Sequence, residues 1–192
     1  PTTSTANLIT VETQSVEQSK DLLLAKWQGP FEGVPAFDQV SLSGLVSAME
    51  EAMALELAEV ELIANNSEAP TFENTIVAME GAGAELNRLF SYYGIWRSNK
   101  SSPEFRALQG EIGPKLSAFY SKINQNEKLF ERISAVYHSD VTKAMSPANQ
   151  RLILLTYNGF ARNGATLNAA DKKRYAAINL TLSKLKTKFG NN

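Results

Sequence analysis

Ala69-Pro70-Thr71-Phe72-Glu73-Asn74-Thr75-Ile76-Val77-Ala78-Met79-Glu80 is the stretch from which the fold is read. It has the grammar of a helix start. The Thr71 hydroxyl is placed to accept from the free N–H groups of the first turn. Pro70 fixes the chain just ahead of the cap, and Glu73 sets negative charge at the positive end of the helix dipole. Glu73 and Asn74 are first-turn residues that fix a helix rather than active-site groups. Beyond the cap, Phe72, Ile76, Met79, Gly83, Leu86, Phe90 and Tyr93 recur in steps of four and three. That is the seam of one long helix packing on a neighbour. Gly81 and Gly83 each cost up to about 1 kcal/mol in such a helix, and they mark close helix–helix approach.

The same grammar recurs on both sides. Leu45, Met49, Met53, Leu57, Val60 and Ala64 form a helical stripe that begins near Ser43 and stops at Asn65-Asn66-Ser67. Ser102-Pro103-Glu104 opens a helix whose stripe is Phe105, Leu108, Ile112, Leu116, Phe119 and Ile123. Pro114 falls inside it and predicts a kink or break near Gly113. Asn126 caps a helix carrying Leu129, Phe130, Ile133 and Val136, and a polar loop follows from Ser139 to Met145. Ser146-Pro147 opens a helix through Leu152, Leu155 and Phe160, which Asn163-Gly164 stops. Asn168, with Asp171, caps a last helix striped by Tyr175, Ile178, Leu182, Leu185 and Phe189.

The predicted architecture is all-α: about six helices in an irregular antiparallel bundle over residues 43–192. Residues 21–42 hold Trp27, Phe31 and Phe37 among Gly and Pro. They read as an extended segment that presses its aromatics into grooves between helices. Residues 1–20 are rich in Ser, Thr and Gln and read as a flexible arm. This arm fits a mature N-terminus after signal removal, or a boundary inside a longer chain.

Composition narrows the function. The 192 residues carry 19 basic and 20 acidic side chains, so no global field favours nucleic acid or a membrane surface. The longest aliphatic run, Leu152-Ile153-Leu154-Leu155, is far short of the ~20 residues of a membrane span. With no cysteine, thiolate catalysis, disulfides and Cys-ligated zinc are excluded. His138 is the single histidine, so this chain cannot supply the paired ligands of a His-Glu-x-x-His zinc helix. It reads as a structural residue near a helix C-terminus. Glu50, Glu51, Glu56, Glu59 and Glu61 read as a solvated face rather than a general acid/base pair. Gly81-Ala82-Gly83 lacks the preceding strand and following Lys-Ser/Thr of a phosphate loop. A serine triad has no support either.

Phe90, Tyr92, Tyr93 and Trp96 form an aromatic cluster whose default role is core packing, with a peptide groove wall as the alternative. The last helix carries Lys172, Lys173, Arg174, Lys184, Lys186 and Lys188 against the single acid Asp171. It reads as a solvated face, or as a contact for an acidic partner or a missing part of the same protein. No catalytic, cofactor-binding or metal residue is assigned.

Five segments, in order, resemble one family. They are Leu22–Leu24 with Trp27-Gln28-Gly29-Pro30-Phe31-Glu32-Gly33-Val34-Pro35-Ala36-Phe37-Asp38; Glu59–Asn66 leading into Pro70–Thr75; Asn126-Glu127-Lys128-Leu129-Phe130-Glu131-Arg132-Ile133; Phe160–Leu167; and Leu185–Phe189. Together they are similar to the N-terminal region of the thimet-oligopeptidase and peptidyl-dipeptidase family of zinc metallopeptidases, in its bacterial branch. The resemblance implies a helical enzyme with a deep channel that admits short peptides and excludes folded proteins. It implies zinc held by a His-Glu-x-x-His helix and a further glutamate, and release of C-terminal dipeptides. Those elements lie downstream in the family, and none maps here. The chain is therefore expected to be inactive alone, to wall the channel, and to have the missing C-terminal catalytic region as its partner. Zinc and short peptides belong to that parent, whose compartment, periplasm or cytoplasm, stays open. The alternative is a free-standing helical binding module without catalytic activity.

Overall fold

The computed structural model describes residues 15–30 and 33–190. Helix α1 covers residues 15–24. A short 3₁₀ turn, Leu42–Gly44, leads into α2, Leu45–Ala64. A π-helical turn, Phe72–Val77, continues into α3, Ala78–Gly81. Then follow α4 (Ala84–Asn99), α5 (Pro103–Asn124), α6 (Glu127–His138), α7 (Asp140–Lys143), α8 (Pro147–Arg162) and α9 (Ala169–Gly190). Among the described residues the only extended pairing is an isolated bridge between Gln28 and Val34. The fold is all-α, with more helical segments than six because α1, α3 and α7 add to the longer helices.

The chain divides into two compact units, one from Pro1–Leu55 with Gly83–Ile112, the other from Glu56–Ala82 with Gly113–Asn192. In the first, α1, the start of α2, α4 and the start of α5 share a core of Leu23, Leu45, Met49, Leu86, Leu89, Tyr92 and Phe105. Gly44 sits where α1 comes close. A Cβ there would stand 2.5 Å from the Lys20 backbone nitrogen and 2.9 Å from the Ser19 carbonyl carbon. The Ser19 hydroxyl donates to the Ser41 carbonyl and accepts from the Ser41 N–H, each at 3.1 Å. The arm read over residues 1–20 lies mostly outside the described residues. Residues 15–24 are helical, and Ser19 is buried.

In the second unit α6, α8 and the π-helical turn pack together, with α7 against α6 and α8. Their core holds Ile76, Leu129, Ile133, Val136, Ile153 and Phe160. The polar loop expected at Ser139–Met145 contains the four-residue helix α7.

Two helical readings need correction. The helix after Thr71 does not run on through Gly83. Ala82 turns extended at ψ 155° and Gly83 takes φ +74°, a left-handed conformation that glycine enters without a Cβ clash. The break resets the phase, so α4 buries Leu86, Leu89, Tyr92 and Trp96 rather than Phe90 and Tyr93. At Gly81 a Cβ would meet nothing within 4 Å, so no helix approaches there. Of the kink or break expected near Gly113, the break does not occur: α5 continues as one helix through Pro114. Proline withholds the N–H that the Gly110 carbonyl would accept, and Gly110 is exposed, where solvent can serve that carbonyl.

Candidate functional site

The Thr71 motif becomes a densely bonded polar site in the second unit. The Thr71 hydroxyl accepts from the Asn74 N–H at 3.1 Å, and the Asn74 side-chain oxygen accepts from the Thr71 N–H at 2.8 Å. This is a reciprocal capping box with asparagine in place of the usual Glu or Gln. Asn74 also donates to the Ala69 carbonyl at 3.0 Å. Its side-chain oxygen takes two further donors, the Thr75 hydroxyl at 3.0 Å and Arg132 Nη2 at 2.9 Å.

Arg132, on α6, is only 6% exposed. Its Nη1 donates to the carbonyls of Asn66 and Glu68, each at 2.9 Å. One guanidinium thus binds the loop after α2 to the cap of the next helix, a use of its fixed fork of donors. Lys128 Nζ donates to the Asn65 side chain at 2.6 Å, and the Asn126 side chain donates to Glu61 at 3.1 Å. Beside this knot lies an open cleft of about 440 Å³, lined by Ala64, Asn65, Asn66, Pro70, Lys128, Glu131 and Arg132. Sequence reading found the cap but not Arg132, because that partner lies about 60 residues away.

The other candidates fall as follows. His138 is exposed at the end of α6, with its ring edge-on to Tyr137 and Tyr157. Glu50, Glu51 and Glu61 are exposed, and Glu51 pairs with Lys20 at 3.0 Å. Glu56 departs from the solvated face: half-buried, its carboxyl is pushed up by burial and then by the Glu59 charge. Burial and the Glu56 charge likewise raise the Tyr120 hydroxyl. Half of the aromatic cluster is core in the first unit: Tyr92 is fully buried and Trp96 nearly so, whereas Phe90 and Tyr93 are only partly covered. Phe37 stacks on Tyr92 and tilts against Trp96, and Trp27 meets Tyr92 edge-on. The Tyr92 hydroxyl accepts from the Ala36 N–H at 2.9 Å. Trp27 and Phe37 thus lie against aromatics of α4, and Phe31 lies outside the described residues.

In the basic helix Lys172 is not on a solvated face. It is buried and donates to Glu127 at 2.8 Å, which holds the Glu127 carboxyl below its ordinary range. Lys173, Arg174, Lys184, Lys186 and Lys188 are exposed.

Zinc does not fit these residues. Among the described residues no three His, Cys, Asp or Glu side chains gather into a possible metal site. No helix among them is long and apolar enough to cross a membrane.

The family described as Neurolysin/Thimet oligopeptidase, N-terminal domain, matches residues 45–173, about two thirds of the chain. Dipeptidyl carboxypeptidase of Escherichia coli (strain K12) is 29% identical over 155 residues, covering 81% of this chain and 23% of that protein. The Salmonella typhimurium dipeptidyl carboxypeptidase is 28% identical with the same coverage. Oligopeptidase A of Salmonella typhimurium is 26% identical over 159 residues, 83% of this chain and 23% of that protein. The chain thus spans less than a quarter of the length of these relatives.

Proposed function

Because the chain belongs to the neurolysin/thimet oligopeptidase N-terminal domain family, we propose that it is the N-terminal helical part of a longer zinc peptidase whose reacting groups lie elsewhere. The observation that carries this reading is the lopsided coverage, four fifths of this chain against less than a quarter of a dipeptidyl carboxypeptidase. In that setting the two helical units form part of the wall of the substrate channel and limit entry to short peptides. The higher identity to dipeptidyl carboxypeptidase than to oligopeptidase A supports release of C-terminal dipeptides by the parent. With a single, exposed histidine, this chain neither holds zinc in a defined ratio nor cleaves peptides alone.

The test is to clone the parent gene, express the full-length protein and give it a short peptide with either a free or an amidated C-terminus. The expected result is chelator-sensitive release of dipeptides from the free C-terminus only. Cleavage within both peptides would place the parent with the endopeptidases. A reading frame that ends at Asn192 would overturn the proposal and leave a helical binding module.

A further inference from the structure

Helix α9 is amphipathic in the opposite sense to a helix that ends a domain. Its inward face is small and polar. A Cβ at Gly113 of α5 would meet the Thr187 hydroxyl at 3.1 Å and the Ser183 hydroxyl at 3.4 Å. Further up the helix, Ala176, Ala177 and Leu180 face Ser117, Ala118 and Ser121 of α5 across an open groove of about 530 Å³. Leu180 apart, the large apolar residues of this stretch point away. Ile178 is 53% exposed, Leu182 43%, Leu185 59% and Phe189 82%. With 3.6 residues per turn these four fall within an arc of about 60°. Lys186 and Lys188 stand on either side of that arc. A contiguous apolar strip rimmed by charge is the mark of an interaction surface, not of scattered surface residues.

The family match locates the strip. It ends at Lys173, five residues into α9, so all four side chains lie beyond the matched N-terminal domain. The match takes up 23% of dipeptidyl carboxypeptidase, so more than three times the matched length of that relative lies outside it. We propose that the Ile178–Leu182–Leu185–Phe189 seam is the docking face for the polypeptide that follows Asn192 in the longer protein. The covering segment presents an apolar face flanked by Asp or Glu carboxylates opposite Lys186 and Lys188. This rests on the longer parent proposed above. A second copy of this chain is the weaker occupant, since four side chains offer less than the roughly 800 Å² that each partner of a stable dimer covers.

The chain has no cysteine, which gives a clean test. Leu185→Cys and Phe189→Cys are introduced separately into this chain and into the full-length protein, and maleimide labelling is followed by peptide mass. Rates are referred to the urea-unfolded protein, with sedimentation equilibrium alongside. The expected result is rapid labelling in the 192-residue chain, which sediments as a 21.0 kDa monomer. In the full-length protein both sites label at least about tenfold more slowly, as opening of a packed helix limits access. Equal rates in the two proteins overturn the proposal, and so does a dimer of the short chain that protects the same two cysteines. Phe189→Glu gives a second reading: it lowers the melting temperature of the full-length protein and not that of the short chain, and equal shifts count against the seam. Peptidase activity of the unmodified full-length protein reports on the parent separately. An active parent with an unprotected seam refutes only the docking face.

Discussion

Arg132→Ala puts the strongest test on the site built around Thr71. The side chain donates three hydrogen bonds of 2.9 Å, to the Asn66 and Glu68 carbonyls and to Asn74. Hydrogen bonds to charged groups contribute about 1.5–3 kcal/mol each. Three bonds from one guanidinium do not add in full. The neighbouring cleft, lined by Asn66 and Arg132, also lets water reach part of what is vacated. We therefore expect a loss of about 3 kcal/mol, near the middle of what breaking such a buried charged contact costs. For a chain of this size that lowers the melting temperature by about 6–12 °C. Urea unfolding followed by far-UV circular dichroism is the assay, because neither tryptophan, Trp27 nor Trp96, lies in this unit. A double-mutant cycle with Asn74→Ala isolates one bond, with an expected coupling of about 1.5 kcal/mol. Should Arg132→Ala stay within about 0.5 kcal/mol of the parent, as an ordinary surface change does, the guanidinium does not hold the loop to the cap.

Further outcomes follow from other sites. Gly44→Ala drives a methyl group against the backbone of α1 and is expected to cost about 1–3 kcal/mol as overpacking; tryptophan fluorescence in urea reads it, and an unchanged midpoint refutes the close approach. Tyr92→Phe leaves the Ala36 N–H without its acceptor and is expected to cost about 1–2 kcal/mol, with faster exchange of that one amide by NMR. Glu56 has its folded-state pKa raised, so ionising it opposes folding: its contribution is full below the ordinary glutamate range and lost as pH rises through the folded value. Glu56→Gln is therefore expected to stabilise the protein at neutral pH and to lose that advantage in acid, and a pH-independent difference in urea stability would contradict this. Glu127 has the opposite sign. Its lowered pKa stabilises the fold above the ordinary glutamate range and fades as pH falls through the folded value, and Lys172→Met should remove that pH dependence.

What could be read from the chain was local. The cap at Thr71 is formed, as are those at Asn126, Ser146 and Asn168, which accept from Leu129, Asn149 and Asp171. Each joins residues three apart, so adjacent sequence decides it. The stripes of α2 and α5 are buried at Leu45, Met49, Met53 and Val60, and at Phe105, Ile112, Phe119 and Ile123. What escaped was set by distance or by one backbone torsion. Nothing near Arg132 announces that its partners are Asn66, Glu68 and Asn74. Gly83 fits a helical stripe as well as it fits a left-handed break, and the difference shifts the buried face of α4 from Phe90 and Tyr93 to Leu89 and Tyr92. Of the glycines read as points of close approach, Gly81 is not one. Gly44 and Gly113 meet neighbouring atoms, and Gly81 meets none, because approach depends on which helix crosses. In α9 the periodicity was legible, but not that its apolar stripe faces outward.

The Asn163–Gly164 stop of α8 bears on how this protein ages. Asparagine before glycine is chemically fragile, since the next backbone nitrogen can attack the side-chain amide, close a succinimide and release ammonia. Here that nitrogen is occupied, donating to the Ala161 carbonyl at 3.2 Å. The Asn163 amide is held as well, donating to the Gly159 carbonyl at 2.8 Å and accepting from the Tyr175 hydroxyl at 3.3 Å. Ring closure must first break this arrangement, so the fold acts as a chemical preservative at Asn163. Deamidation at Asn163, followed by peptide mass during storage, is expected to track the unfolded fraction rather than elapsed time, and equal rates in folded and urea-unfolded protein would refute that protection.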